Sequence, residues 1–414
     1  MHPMQITIVN QFYPPDEAPT GKLCKSLAQH FAAQGHHATV ITSAGGYRTA
    51  GGDDHANDAS DRIDVRRVWT PRMGKKSTLR RCADYACFYL GTVRRLLFMR
   101  RQDVVICLTT PPLIVWAALI HKLIHRRSRV ALWNMDCYPE VAERSGKIRE
   151  KGLVSRVLRW NNRAVFKRID HLISLDHAME DLTCSQYANA KRRPKTAVIP
   201  NWELAAAYPA TTPPPAWEGI ARLGLTGKFV ALYAGNMGVG HTFDALLDAA
   251  QLLRDRDDFA LLMVGNGAKR AEIESAVRER GLTNVMLHDY VERADLPAML
   301  ASASCAVITL HPWALGVMSP SKLHANLAMG LPVVYIGPAG SNVDEAIARF
   351  DCGGSFRADQ NQEAAAFLTQ LMEQPEQRDQ MATQARAAFD QAYCDTHTLP
   401  QFDAALGTGP DTSL

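Results

Sequence analysis

The segment richest in chemistry is Gly316-Val317-Met318-Ser319-Pro320-Ser321-Lys322-Leu323, which runs between an apolar stretch ending at Leu310 and a helical pattern reaching Met329-Gly330. Ser319 is a suitable N-cap and Pro320 suits the first helical position, so free backbone N–H groups are expected beside Lys322. A helix start with an adjacent lysine can take a phosphate or diphosphate. Its plain alternative is a capped helix with a solvated lysine, and caps are common.

Two glycine loops point the same way. Tyr233-Ala-Gly235-Asn236-Met237-Gly238-Val239-Gly240-His241 follows an apolar, β-branched run and opens a helix. Glycines there let backbone come close to a phosphate or a sugar ring. No acidic residue stands at a strand end about 20 residues on, so this is not the dinucleotide fingerprint. Gly265-Asn266-Gly267 ends the next strand and suits a nucleoside lying against the sheet edge. Each alone is ordinary turn chemistry; three such loops at strand ends of one half are harder to dismiss.

The first half offers carboxylates. Phe12-Tyr13-Pro14-Pro15-Asp16-Glu17-Ala18-Pro19-Thr20-Gly21 leaves the first strand, and Asn134-Met135-Asp136-Cys137-Tyr138-Pro139-Glu140 leaves a later one. Carboxylates at such places orient or deprotonate a hydroxyl. Capping is the ordinary role for Asp16 and Glu17. Asp136 is followed by Tyr-Pro rather than a regular helical pattern, which favours a functional role there.

The elements that must position these residues follow from the period of the apolar pattern. Short β-branched runs alternate with turns and longer helical segments, the signature of parallel sheets covered by helices. Strands are expected at 5–10, 37–43, 62–69, 103–108, 129–134, 171–175 and 196–199, then at 228–235, 259–265, 284–288, 304–309, 332–336 and 352–356. Between the sets lies Tyr208-Pro-Ala-Thr-Thr-Pro-Pro-Pro-Ala-Trp217, which can be neither helix nor central strand. The expected fold class is α/β, with two Rossmann-like domains facing across a cleft: residues 1–205 and 206–389, with 390–414 crossing back onto the first. Ligands of such sheets lie beyond the carboxyl ends of the strands.

Composition excludes several classes. With 414 residues, 47% of them apolar and 21% charged, the chain is neither disordered nor collagen-like. Nine singly scattered cysteines with no Cys-x-x-Cys pair read as buried thiols of a reducing compartment. No leader pattern precedes the strand at Gln5, and a cytoplasmic protein is expected. Val104 to Ile120 is apolar, but Pro111-Pro112 and its length make it a strand, a turn and a buried helix rather than a membrane span. The net charge of +4 hides an asymmetry, because residues 1–205 carry 32 Lys and Arg against 18 Asp and Glu, while the remainder carries 14 against 24. One half is expected to face an anionic partner.

In order along the chain, Tyr13-Pro-Pro-Asp16, Ile199-Pro-Asn201-Trp202, Tyr233-Ala-Gly-Asn-Met237, Val264-Gly-Asn-Gly267 and Pro320-Ser-Lys-Leu323 followed by Ala328-Met-Gly-Leu-Pro-Val-Val334 make a distinctive set. This set resembles the retaining family-4 glycosyltransferases of the GT-B fold, in the branch that builds bacterial surface polysaccharides. The resemblance implies a nucleotide-sugar donor held by the second domain and a lipid-linked sugar acceptor held by the first, with no obligatory metal or other cofactor. It places the donor at Gly235, Asn236, Met237, Gly238, Gly265, Asn266, Gly267, Tyr290, Val291, Ser319, Ser321, Lys322 and Asn326. The acceptor falls to Tyr13, Asp16, Glu17, Thr20 and Gly21. Lys322 is the expected stabiliser of the leaving diphosphate, and Asp136 the group that positions the acceptor hydroxyl. The Asp255-Arg-Asp257 triplet precedes a strand, away from the cleft, and is a poor metal site.

The chain departs from the family pattern in two places. Val317 and Ala325 stand where two glutamates are frequent, and Asn236 and His241 stand where Arg and Lys are frequent. Lys322 is therefore expected to be the main cation on the donor, with Asn326 or backbone groups replacing the missing glutamate. Two other readings are a nucleotide-sugar epimerase on the same architecture, for which no paired acids are found, and a catalytically degenerate partner subunit, which the missing glutamates favour.

Between Arg62 and Arg101 basic residues interleave with Tyr85, Phe88, Leu90, Leu97 and Phe98. A helix near 77–100 of that composition suits an anionic membrane surface. A core helix with solvated ends fits the pattern as well. Peripheral attachment to the inner face of the plasma membrane is expected. Nucleic acid is not, because no recognition motif accompanies the basic residues. Gly51 to Ser60 reads as a polar loop.

Overall fold

The computed structural model describes residues 2–16, 18–44, 60–71, 78–189, 192–209 and 214–409. Glu17, Arg72, Lys75, Lys76, nearly all of the Gly51–Ser60 segment and part of the proline-rich stretch lie outside the described residues.

Two sheets, each parallel throughout, organise the chain. The first contains β1 (Gln5–Val9), β2 (His37–Ser43), β3 (Ile63–Val68), β4 (Val104–Leu108), β5 (Arg129–Asn134), β6 (His171–Ser174) and β7 (Lys195–Val198), in the order β3-β2-β1-β4-β5-β6-β7. The second contains β8 (Phe229–Ala234), β9 (Phe259–Val264), β10 (Val285–His288), β11 (Cys305–Thr309), β12 (Val333–Ile336) and β13 (Gly353–Phe356), in the order β10-β9-β8-β11-β12-β13. Every expected strand is present to within one residue at either end. The central strands β4 (VVICL) and β11 (CAVIT) are buried at all positions, because helices cover both faces and leave no side for polar alternation.

The crossovers around the first sheet are α1 (Pro19–Ala33), α2 (Thr78–Phe98), α3 (Val115–Ile124), α4 (Glu140–Arg144), α5 (Leu153–Phe166) and α6 (His177–Tyr187). Around the second lie α7 (Gly219–Arg222), α8 (Asp244–Leu252), α9 (Arg270–Glu279), α10 (Leu296–Ala301), α11 (Lys322–Ala328), α12 (Asn342–Phe350) and α13 (Asn361–Glu373). Among the described residues no helix is long and apolar enough to cross a membrane.

Winding reverses beside the first strand of each sheet, since β1 lies between β2 and β4, and β8 between β9 and β11. Loops after those strands flank a crevice in which ligands of open α/β sheets bind. These loops carry Tyr13, Asp16, Gly235 and Lys322, so the topology itself selects the site.

The chain ends by joining the two halves. From α14 (Pro375–Ala388) a π-turn leads into α15 (Asp395–Leu406), which packs against α1 and β7. There His30 meets Asp403 at 2.7 Å, and the Phe402 ring stands edge-on to Trp133 at 4.9 Å, with Trp202 stacked on Trp133 at 5.7 Å. Each such aromatic pair adds about 0.5–1.5 kcal/mol beyond the area it buries.

Candidate functional site

The ends of β8 and β9 are fused by backbone. Gly235 N–H donates to the Val264 carbonyl (2.8 Å), Met237 N–H to the Asn266 carbonyl (2.9 Å) and Lys269 N–H to the Met237 carbonyl (2.9 Å). Gly235 and Gly265 have φ of +130° and +138°. A Cβ on Gly265 would stand 2.0 Å from the Gly235 carbonyl oxygen, and one on Gly235 would stand 2.6 Å from Lys322 Cε. Only glycine fits where these two loops and the lysine stem are stacked. The Asn236 amide lies between Gly238 and Gly267. Tyr290 closes the edge by donating its hydroxyl to the Asn266 carbonyl (3.0 Å), and Val291 is half-buried behind it.

Lys322 reaches this crossing from the far side. Its ammonium donates to the Tyr233 hydroxyl at 2.5 Å, His241 Nε2 at 3.3 Å and the Asn236 carbonyl at 3.4 Å, and it lies 4.1 Å from the centre of the Tyr233 ring. Tyr233 in turn donates its proton to the Asn236 carbonyl (2.8 Å). His241 is fixed in one tautomer, since Nδ1 lies 2.6 Å from the Thr309 carbonyl and must donate, which leaves Nε2 as an acceptor. Burial and the nearby ammonium lower the His241 pKa to about 3, so it is neutral at physiological pH. Burial, with no carboxylate paired to it among the described residues, lowers the Lys322 pKa to about 7. The arrangement is a desolvated cation held by neutral acceptors, a receptor for anionic charge.

The start of the helix corrects the sequence reading. Neither Ser319 nor Pro320 begins it; α11 starts at Lys322, and Ser321 at its N-cap makes no side-chain cap. Ser319 instead donates to Asp176, whose carboxylate caps α6 through the Met179 N–H (2.7 Å). Ser321 is exposed, and its carbonyl accepts from His324 Nδ1 (3.0 Å). Asn326 is buried one turn beyond Lys322. With only seven residues in α11, the charge of Lys322 outweighs the contribution of helix-end dipoles. Val317 is fully buried and Ala325 half-buried, so neither position offers a polar group to a ligand.

The first sheet meets this segment directly. Cys137 donates its N–H to the Val317 carbonyl and its thiol to the Gly316 carbonyl, both at 3.2 Å, and Arg144 donates to the carbonyls of Trp313 (3.1 Å) and Leu315 (2.8 Å). The loop carrying Asp136 is thereby tied to the loop leading to Lys322. Asp136 and Met135 share the Thr109 hydroxyl as acceptor for their N–H groups (3.2 and 3.1 Å), and burial raises the pKa of the Asp136 carboxyl. Behind it lies a cavity of about 60 Å³ lined by Thr109, Asn134, Asp136, Glu140, Asn161 and Tyr187. Glu140 Oε1 accepts from the Tyr187 hydroxyl and pairs with Arg159 at 3.2 Å, whereas Oε2 has no partner among the described residues.

At the β1 loop, Tyr13 is buried in the core, and the Asp16 carboxylate accepts from the Ala18 N–H (3.2 Å) at the entry to α1. Thr20 and Gly21 form the first turn of that helix, with Gly21 close against the backbone of Phe12 and Tyr13. Glu17 lies outside the described residues. Among the described residues no group of three or more His, Cys, Asp or Glu is placed to hold a metal ion.

Sequence reasoning missed Tyr233 and His241, the two side chains that hold Lys322. Both were visible in the glycine loop, where the glycines drew attention away from the aromatic residues at its ends.

Two Rossmann-like sheets, with strand-end loops meeting between them and a half-buried lysine beside paired glycine turns, constitute the GT-B architecture of sugar transferases. A family model for a glycosyl transferase 4-like domain matches residues 21–202, and one for glycosyl transferases group 1 matches residues 217–388. The chain is 23% identical over 358 residues to the putative colanic acid biosynthesis glycosyl transferase WcaI of Escherichia coli (strain K12), covering 84% of this chain and 86% of that protein. Among solved structures, WaaG, a glycosyltransferase involved in lipopolysaccharide biosynthesis, aligns with a TM-score of 0.68 and 17% identity over 97% of this chain and all of the other. Anabaena HepE in complex with UDP and glucose aligns with a TM-score of 0.66 and 16% identity, over 98% of this chain and all of the other. The chain belongs to the group 1, family-4 glycosyltransferases, retaining enzymes that use nucleotide-sugar donors.

Proposed function

We propose that this glycosyltransferase adds one sugar to a lipid-linked oligosaccharide during assembly of a surface polysaccharide, working as a peripheral protein on the inner face of the plasma membrane. The names of WcaI and WaaG support that setting, and the UDP in HepE makes UDP-sugars the first donors to test. Residues 206–389 hold the donor and residues 1–205 the acceptor, with the described part of 390–414, up to Gly409, packed back on the acceptor half.

The observation that carries the reading is the Lys322 ammonium, half-buried between two glycine turns and held only by neutral acceptors. As the bond between sugar and diphosphate breaks, negative charge grows on the departing phosphate. A preorganised cation in a water-poor site stabilises that charge, an effect of about 100- to 1,000-fold for one well-placed donor group. Gly235, Asn236, Met237 and Gly238 line the diphosphate side with Ser319 and Ser321. Gly265, Asn266, Gly267, Tyr290 and Val291 form the nucleoside side, and Asn326 supports α11. Asp136 accepts a hydrogen bond from the acceptor hydroxyl and aligns it with the sugar carbon. The β1 loop, with Tyr13 in the core beneath it and Asp16, Thr20 and Gly21 at the start of α1, borders the acceptor entrance.

The test is a nucleotide screen by thermal shift with UDP, GDP, TDP and their sugars, on wild type and Lys322→Ala. A ligand that binds only the folded state raises its melting temperature. One nucleotide is expected to stabilise wild type and leave Lys322→Ala unshifted; an equal shift in both would remove Lys322 from the donor site.

A further inference from the structure

Helix α5 presents apolar side chains to solvent as well as to the core. Its inner face sets Val165 and Phe166 in the core beside a polar network: Ser155 donates to Glu143, Arg159 pairs with Glu143 at 2.5 Å, Asn161 accepts from Trp116 Nε1 at 2.5 Å and Asn162 donates to the Tyr138 carbonyl at 2.6 Å. Its outer face carries Leu153, Val154, Val157 and Trp160, whose exposures are 79%, 58%, 54% and 67%. Positions 153, 157 and 160 are spaced so that they form one stripe along the helix. A contiguous apolar stripe of this kind marks an interaction surface.

What flanks the stripe identifies its partner. Residues 144–168 contain nine Lys and Arg and a single acid, Glu150. Arg156, Arg163, Lys167 and Arg168 are exposed on α5 and the turn that follows it. Beyond Arg168 the surface continues into a groove of about 370 Å³ at the end of α3, where Trp116 and Leu123 meet Lys122, Arg126, Arg168 and Arg192. The groove adjoins the C-terminal end of α5, since the Arg168 guanidinium lies 5.7 Å from the Trp116 ring and Trp116 bonds to Asn161 of α5. Leu123 and Ile124 are exposed at the groove edge, beside Arg126 and Arg127. Lys122 is neutralised by Asp170 at 2.6 Å, which leaves the arginines to supply the positive rim.

We infer that the outer face of α5 and the groove at the end of α3 form the surface that docks on an anionic bilayer: Leu153, Val157 and Trp160 enter the acyl boundary, and Arg126, Arg168 and Arg192 hold lipid phosphates. An apolar stripe bordered by arginine matches a negatively charged leaflet in both its layers. A protein partner of matching shape would need acids facing these arginines. Helix α2, to which the basic residues of the sequence drew attention, packs on α3 and β3, and among its described side chains Leu90, Leu97 and Phe98 are exposed with Arg94 interrupting them. Leu153, Val157 and Trp160 of α5 have no charged residue between them on their face. The inner face of α5 also roofs the cavity beside Asp136 through Leu158 and Asn161, so docking would set the acceptor side against the lipid surface.

This inference rests on the peripheral-membrane part of the proposed function and not on the donor chemistry. The full-length protein is mixed with vesicles of phosphatidylcholine containing 30% phosphatidylglycerol, or of phosphatidylcholine alone, and separated by flotation. Wild type is expected to float only with the anionic vesicles. Leu153→Ser/Trp160→Ser and, separately, Arg126→Gln/Arg168→Gln/Arg192→Gln are each expected to reduce the bound-to-free ratio at least tenfold, while Leu90→Ser/Phe98→Ser stays within twofold. All variants should keep the melting temperature and the nucleotide-induced shift of wild type, which separates a failed surface from a failed enzyme. Loss of binding in the α2 variant but not the α5 variant would overturn the assignment. So would wild type that ignores anionic vesicles, or a concentration-dependent dimer that Trp160→Ser abolishes without vesicle binding.

Discussion

Lys322 in the second half and Asp136 in the first are both drawn away from water, yet their surroundings differ. The lysine donates to Tyr233, His241 and the Asn236 carbonyl, whereas the Asp136 carboxyl has no hydrogen-bond partner among the described residues and borders a cavity in which Glu140 Oε2 is also unpartnered. A diphosphate presents the same charges whichever sugar it carries, so its receptor can be rigid and largely backbone. An acceptor saccharide offers hydroxyls in many arrangements, and under the proposed function the side that meets it keeps acceptor atoms uncommitted. Polar atoms left unpaired in a buried site cost about 1–3 kcal/mol each, a cost that a ligand bonded to Glu140 Oε2 would offset.

The largest effect should come from the committed side. Lys322→Ala is expected to lower kcat/KM by about 100- to 1,000-fold, the range seen for loss of one preorganised charge-stabilising donor. Its melting temperature without ligand should not fall, because the substitution removes a half-buried cation that no carboxylate offsets. Steady-state kinetics and calorimetry on the same preparation check both statements.

On the uncommitted side, Asp136→Asn should reduce kcat by about 100-fold, the lower end for general-base or orienting groups. Donor affinity measured by titration should stay within about twofold of wild type, since binding differences of less than about 1 kcal/mol are expected where no contact is lost. A matching loss of donor affinity would erase the division between the halves.

The two sides should also separate by pH. On the empty site Lys322 loses its proton as pH rises through about 7, so above that point donor binding must take up a proton. Affinity is then expected to weaken by up to about tenfold per pH unit, the limiting slope for one linked proton. Asp136, raised by burial, gains a proton as pH falls, so acceptor use should weaken on the acid side instead. Initial rates against donor and acceptor concentration across pH 5 to 9 resolve the two limbs.

The smallest change should follow from Tyr233→Phe. It removes one acceptor of the Lys322 ammonium but keeps the ring 4.1 Å away, so KM for the donor should rise only several-fold, below the roughly 1.5–3 kcal/mol assigned to a hydrogen bond to a charged group. An effect as large as that of Lys322→Ala would mean that the hydroxyl itself contacts the donor.

The fold was legible because its signals are local. β-branched runs such as Val104-Val-Ile-Cys-Leu108 have no polar face to offer, and the turns between elements carry their own glycine and proline marks. The donor loops were legible for the same reason, since Gly235 and Gly265 are demanded by backbone approach. Ser319 misled because a good cap residue is only potential: the chain needed its hydroxyl on Asp176, and α11 began three residues later. Tyr233 and His241 could not be joined to Lys322 from sequence, because 89 and 81 residues separate the partners and only the sheet order brings them together. The exposed face of α5 was not legible from periodicity, which gives an apolar stripe but not its direction; in the fold Val165 and Phe166 go to the core while Leu153, Val157 and Trp160 face solvent.

The central claim is that a single desolvated lysine, protonated on demand, receives the donor diphosphate. Calorimetric titration of UDP, or of the nucleotide selected by the thermal-shift screen, at pH 8 in two buffers of different ionisation enthalpy measures the protons taken up on binding. The account predicts uptake approaching one proton for wild type and none for Lys322→Met, with much weaker binding to the variant. Tight binding by both proteins with no proton uptake would contradict it.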